Sequence, residues 1–162
     1  MTYVVAQEVV DAFYDAFVKP DGDKLAQLVH DDVRWTTRGP IGVLSFCGTH
    51  HGKSQVLELA TQTLPTVFSD IRLVRESLVI EGDRAAALNF QTARRRADGR
   101  TITYRFAHFF RFKDDKVIET ITIIDSFNAA EQVLGHALPI DSASAVTPPD
   151  ALAGEVNDLV FL

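Results

Sequence analysis

The chain has 162 residues, 46% of them hydrophobic, a formal net charge of −6 and one cysteine, Cys47. A chain of this length fits one domain and buries roughly 70% of its unfolded surface, enough for a core without staples. The negative balance argues against nucleic acid, which demands a basic footprint. A lone cysteine excludes an intrachain disulfide and makes a reducing cytoplasm the expected setting. The start, Met1 to Glu8, lacks the basic and apolar runs of a signal peptide. No apolar stretch reaches the ~18 residues that span a bilayer.

In chain order, Val5, Val9, Val10, Phe13, Tyr14 and Phe17 recur at helical spacing, with Glu8, Asp11 and Asp15 opposite. Lys19-Pro20-Asp21-Gly22 ends that helix. A short second helix carries Leu25, Leu28 and Val29 and is closed by His30-Asp31-Asp32. Val33 to Thr37 is expected as a strand stopped by Arg38-Gly39-Pro40. Ile41 to His51 is glycine-rich and reads as a loop with one short strand. A third helix is expected over Ser54 to Leu64, with Pro65 at its end. The period then changes from helical to alternating, and strands are expected over about 71–80, 84–97, 100–113 and 117–125. Helices followed by a strand meander mean an α+β fold: a curved, mostly antiparallel sheet wrapped around the N-terminal helices. Residues 1–135 form the expected pocket domain. Residues 136–162 form an extension with a linker-like Ser142-Ala143-Ser144-Ala145 and Pro148-Pro149 stretch and an apolar end, Leu159-Val160-Phe161-Leu162. That apolar end is expected to pack on the domain or on a dimer mate.

The layout resembles the nuclear transport factor 2-like superfamily, in its SnoaL-like and ketosteroid isomerase-like branch. Two stretches carry the likeness: Leu28-Val29-His30-Asp31-Asp32-Val33 with the Gly48 to Lys53 loop, and Tyr104 to Glu119. It spans about residues 3 to 135 and implies a cone-shaped α+β roll with a small-molecule pocket. Isomerases, cyclases, dehydratases, epoxide hydrolases and plain binding domains all use this fold, so the resemblance alone assigns no reaction.

Asp98-Gly99 is a two-residue turn signal. It predicts Ala97 opposite Arg100, Asn89 opposite His108, Gln91 opposite Phe106, Ala93 opposite Tyr104 and Ala87 opposite Phe110. Directly opposed residues share a face, so His108 and Asn89 are expected together on the concave side. The other face holds Leu88, Phe90 and Phe109 among arginines, an apolar patch that suits a homodimer. His108 is a candidate acid/base or hydrogen-bond donor; a core histidine satisfied by Asn89 is the competing role. The resemblance places His108 where steroid isomerases carry an acidic, oxyanion-stabilising residue. It places Tyr14, or Phe13, near their oxyanion tyrosine, and Thr37 near their aspartate base. Thr37 cannot act as that base. In the alignment with limonene epoxide hydrolases, Thr122 falls at one of the acids.

The side of Asp125 depends on the turn at Asp114-Asp115. A two-residue turn brings Asp125 opposite Tyr104 in the pocket. A turn one residue longer, which the resemblance favours, brings Thr120, Thr122 and Ile124 there and leaves Asp125 to cap a helix. The candidate catalytic residues are therefore His108, Tyr14 and Asp125. The candidate ligand-binding residues are Trp35, Asn89, Gln91, Tyr104, Phe106, Phe110 and Thr122. His50-His51 lacks metal-site spacing, so no metal is expected, and no cofactor is implied. Arg94-Arg95-Arg96 and Arg100 read as a solvated hairpin tip. The expected partner is a small apolar molecule with a carbonyl or hydroxyl, turned over by proton transfer or held without turnover.

Overall fold

A computed structural model describes residues 3–139. The first helix, α1 (Gln7–Val18), buries Val10, Phe13, Tyr14 and Ala16. It stops before Pro20, whose ring cannot continue a helix. Asp21 caps α2 (Gly22–Leu28), accepting from the Lys24 amide at 3.0 Å. Strand β1 (Val29–Arg38) follows at once. His30-Asp31-Asp32 is thus strand rather than helix end: Val29 and Val33 are buried, and a register irregularity between Val29 and Arg34 absorbs the polar residues. After a loop come β2 (Gly48–His51) and α3 (Gly52–Glu58).

The third helix does not end at Pro65. It passes through a π turn, Leu59–Thr63, into α4 (Leu64–Val67). An α-helical Pro65 would clash with the carbonyl four residues before it, and a wider turn is one way a helix accommodates such a break. Then come β3 (Phe68–Glu81), β4 (Arg84–Arg95), β5 (Thr101–Lys113), β6 (Lys116–Ile124) and α5 (Ser126–Leu134). Gly135 closes α5 with φ of 82°, a left-handed conformation that glycine adopts without strain.

The six strands of the described residues form one sheet in the order β2-β1-β6-β5-β4-β3, antiparallel except for the parallel pair β1 and β6. The expected pairing of β4 with β5 is displaced by two residues. Ala87 faces His108, Asn89 faces Phe106, Gln91 faces Tyr104 and Ala93 faces Ile102. The cause is the turn. Arg95 bonds Arg100 and the Gly99 amide bonds the Arg95 carbonyl, so four residues, not two, close the hairpin. A displacement of two keeps every side chain on its face, and His108 and Asn89 stay on the concave side.

The β5–β6 hairpin combines both of its expected outcomes. Asp114 and Asp115, with φ of 52° and 55°, make the two-residue turn. A bulge between the Arg111–Glu119 and Phe112–Val117 pairs then adds one residue on β6. Thr120, Thr122 and Ile124 face inward, and Asp125 does not.

The concave face carries the core. Phe13 from α1 packs on Trp35 at 5.7 Å and on Phe110 at 5.3 Å between ring centroids. On the outer face Val74, Val79, Leu88, Phe109, Ile121 and Ile123 are exposed. The Arg105 guanidinium lies over the Phe90 ring and is paired with Glu76. Most of the C-terminal extension, including the segment from Pro148 onward, lies outside the described residues.

Candidate functional site

Alternation along β5 aims Tyr104, Phe106, His108 and Phe110 into the concave side. His108 sits among aromatic rings, with Phe106 at 4.7 Å, Phe110 at 5.1 Å and Trp35 at 5.8 Å. Its Nδ1 lies 3.0 Å from the Tyr14 hydroxyl. Asn89 does not reach His108 itself; its Nδ2 donates to that same hydroxyl at 3.0 Å and to the Ala87 carbonyl at 3.4 Å.

These contacts set the protons. The Ala87 carbonyl can only accept, so the amide atom facing it is nitrogen. Tyr14 therefore accepts from Asn89 and gives its own proton to His108 Nδ1. The remaining imidazole proton sits on Nε2, which has no hydrogen-bond partner among the described residues. Burial pushes the His108 pKa down to about 3, because it disfavours imidazolium. At neutral pH His108 is a neutral donor through Nε2, and its basic nitrogen is occupied. Tyr14 likewise serves His108 and is not a separate donor to a ligand; burial raises its pKa, which keeps it protonated. Behind it, Arg75, the strand partner of Asn89, lies 5.9 Å from the Tyr14 ring centroid and pairs with Asp11 at 2.6 Å.

A cavity opens beside His108. Its empty space, mouth included, is about 390 Å3, and it is lined by Phe17, Trp35, Thr37, Phe46, Leu59, Leu64, Gln91, Tyr104, Phe106, His108, Thr122 and Ile124. The structure thus brings six of the expected residues to one cavity: His108, Trp35, Gln91, Tyr104, Phe106 and Thr122. Tyr14, Asn89 and Phe110 sit behind His108. Asp125 is exposed and caps α5, accepting from the Asn128 amide at 3.4 Å, so it is absent from the site. Phe17, Phe46, Leu59, Leu64, Ile124 and Thr37 complete the lining without having been singled out as ligand contacts. Phe17 stood on a helical stripe, a usable signal. Phe46 lies in the loop after β1, where no periodicity points to it.

The polar groups of the lining are all neutral. Thr37 accepts from the Trp35 indole at 3.2 Å, and Thr122, its strand partner, stands opposite His108. Thr122 Oγ1 and the neighbouring Thr120 Oγ1 are buried, with no hydrogen-bond partner among the described residues. Farther along, Gln91 Nε2 donates to the Tyr104 hydroxyl at 2.9 Å. Burial raises the Tyr104 pKa, so that phenol keeps its proton. Such a surface suits an uncharged molecule with few oxygens. Among the described residues no cluster of three or more His, Cys, Asp or Glu is placed to hold a metal ion, and no helix is long and apolar enough to cross a membrane.

Comparison with known proteins follows this geometry. The SnoaL-like domain model matches residues 10–120. A candidate isomerase from Rhodopseudomonas palustris superposes with a TM-score of 0.72 at 28% identity, over 84% of this chain and 100% of that one. A nuclear transport factor 2-like protein of unknown function from Burkholderia pseudomallei gives 0.69 at 25% identity, over 79% and 94% of the two chains. TerC, crystallised with polyporic acid, gives 0.65 at 26% identity, over 74% and 90%. No curated protein sequence matches the chain. The match over most of the helix-and-sheet body, joined to the curved sheet, makes the chain a member of the SnoaL-like domain family within the nuclear transport factor 2-like superfamily.

Proposed function

We propose that the protein takes up a small, uncharged, mostly apolar molecule through one carbonyl or hydroxyl oxygen and acts on it without a cofactor, by drawing electron density onto that oxygen. The observation that carries this is the Asn89–Tyr14–His108 chain, which fixes an Nε2–H donor at the cavity wall. A neutral donor in a dry site stabilises developing negative charge without first shedding water. Isomerisations, cyclisations and dehydrations that proceed through an enolate place negative charge on such an oxygen. The candidate isomerase of Rhodopseudomonas palustris and TerC, co-crystallised with polyporic acid, support a small-molecule substrate.

A second role, binding without turnover, is favoured by the lining itself. Among the described residues it holds no carboxylate, and the imidazole of His108 has its basic nitrogen engaged by Tyr14. One experiment addresses both. The protein with 15N-labelled histidine is titrated with a panel of neutral ketones while turnover is followed by mass spectrometry. A hit moves the His108 Nε2 resonance, and His108→Ala abolishes its binding. Turnover that His108→Ala removes indicates the enzyme. Binding without turnover indicates the carrier. If no compound moves His108, the residue is a core histidine and the proposal fails.

We also propose a homodimer through the outer sheet face. Val74, Leu88, Phe109, Ile121 and Ile123 support it, since neighbouring strands join them into one exposed apolar patch. Sedimentation at micromolar concentration tests it, and a monomer would refute it.

A further inference from the structure

The Gln91–Tyr104 pair stands apart from the His108 network, and its hydrogen-bonding capacity is half used. Both residues are more than nine-tenths buried and both line the cavity. Gln91 Nε2 donates to the Tyr104 hydroxyl, their only side-chain hydrogen bond among the described residues. That leaves the Tyr104 O–H as a donor and Gln91 Oε1 as an acceptor, side by side. An O–H group answers both at once: it accepts from Tyr104 and donates to Gln91. A carbonyl would leave Oε1 unmatched, and an unmatched buried acceptor is costly.

We propose that this pair is a second ligand anchor, selective for a hydroxyl, so that the substrate class is a hydroxyketone with its two oxygens at opposite ends. The proposal rests on the pocket role of His108 given above and adds the far end. At the near end, Nε2–H of His108, with Thr122 opposite it across the β5–β6 pair, suits a carbonyl oxygen. Between the ends lies an apolar row, Phe106 on β5 and its partner Ile124 on β6. Tyr104 and His108 are four residues apart on one strand, a separation of about 13 Å that concave curvature shortens toward the side-chain tips. The matching ligand therefore carries its oxygens on the order of 10 Å apart on an apolar body. A molecule with one oxygen, or with both on one end, leaves one anchor dry.

Para-acetylbiphenyl and its derivative hydroxylated at the far para position test this, since they differ only at the far oxygen. Calorimetric titration of the wild-type protein is expected to show the hydroxylated ketone binding about tenfold tighter, the worth of one buried hydrogen-bonded pair. Gln91→Leu and Tyr104→Phe should each erase that advantage, and neither should weaken the plain ketone, which makes no hydrogen bond to the pair. Both variants are checked for folding by thermal melting and by retained binding of the plain ketone. His108→Ala should weaken both ketones alike. Wild-type protein that binds neither ketone, or holds them equally, overturns the second anchor, as does an advantage that survives in both anchor variants. If His108→Ala leaves both affinities unchanged, the near-end role of His108 fails instead, and that failure is read separately from the far-end comparison.

Discussion

Two neighbouring residues of β5 face opposite worlds. His108 is 3% exposed and bound into a chain of neutral hydrogen bonds; Phe109 is 46% exposed with only apolar strand partners, Ala86 and Ile121. The inner face hides polar groups where each unmet hydrogen bond costs free energy. The outer face shows apolar groups where water gains by leaving. The comparison teaches that the pocket depends on detailed pairing and the outer face on area alone, so the two should fail differently when mutated.

The largest effect should come from the inner packing. Phe13 is fully buried and joins α1 to Trp35 and Phe110. Phe13→Ala should destabilise the fold by about 3–5 kcal/mol, measured by urea denaturation. A cost below about 1 kcal/mol would mean that α1 is not anchored by its aromatic stripe.

His108 comes next, through pH. Its folded pKa of about 3 lies below its ordinary value, so between those two the unfolded chain binds the proton and the fold does not. Stability from this group is therefore full above about pH 6.5 and falls as pH drops toward 3, by on the order of 1 kcal/mol per pH unit. In His108→Gln that part of the slope should vanish, leaving the carboxylate contribution. Equal slopes in the two proteins would contradict the buried neutral imidazole.

Removing the Tyr14 hydroxyl leaves His108 Nδ1 without its donor and Asn89 Nδ2 with only the Ala87 carbonyl. Tyr14→Phe should cost about 1–3 kcal/mol. It should also release the tautomer, which 15N shifts of the ring read directly. Unchanged shifts would mean that Tyr14 does not hold the proton on Nε2. Smallest in stability, Phe109→Lys on the outer face should change the fold by within about 0.5 kcal/mol. It should nevertheless lower the mass seen by light scattering to that of a monomer. A surviving dimer would move the interface elsewhere.

Face identity was legible in the sequence because strand period is local: every second residue from Ala85 to Ala93 and from Ile102 to Phe112 is buried, as alternation implies. Pairing was less legible. Asp98-Gly99 marked the hairpin's place, but closure between Arg95 and Arg100 reflects the whole sheet's register, including the bond from the Arg96 amide to the Val67 carbonyl. The site was legible where it follows alternation, as for His108, Gln91 and Tyr104. It was hidden where it needs long-range adjacency. Thr37 meets Thr122 only because β1 and β6 run parallel, and nothing near either residue announces that pairing. The tautomer of His108 was hidden for the same reason, since it depends on a tyrosine 94 positions away. Pro65 misled because proline usually ends a helix, and the π turn that precedes it has no sequence signature of its own.

The extra residue in β6 near Ile118 has a meaning for descent. Strand alternation makes one inserted or deleted residue equivalent to turning the rest of the strand over. In this chain that single step separates a neutral wall, with Thr120, Thr122 and Ile124 inward, from one that would present Ile121, Ile123 and the carboxylate of Asp125. Lineages sharing this architecture can thus exchange a hydroxyl-lined chamber for an acid-bearing one by a one-codon change in length at the hairpin, with every side chain of the strand conserved.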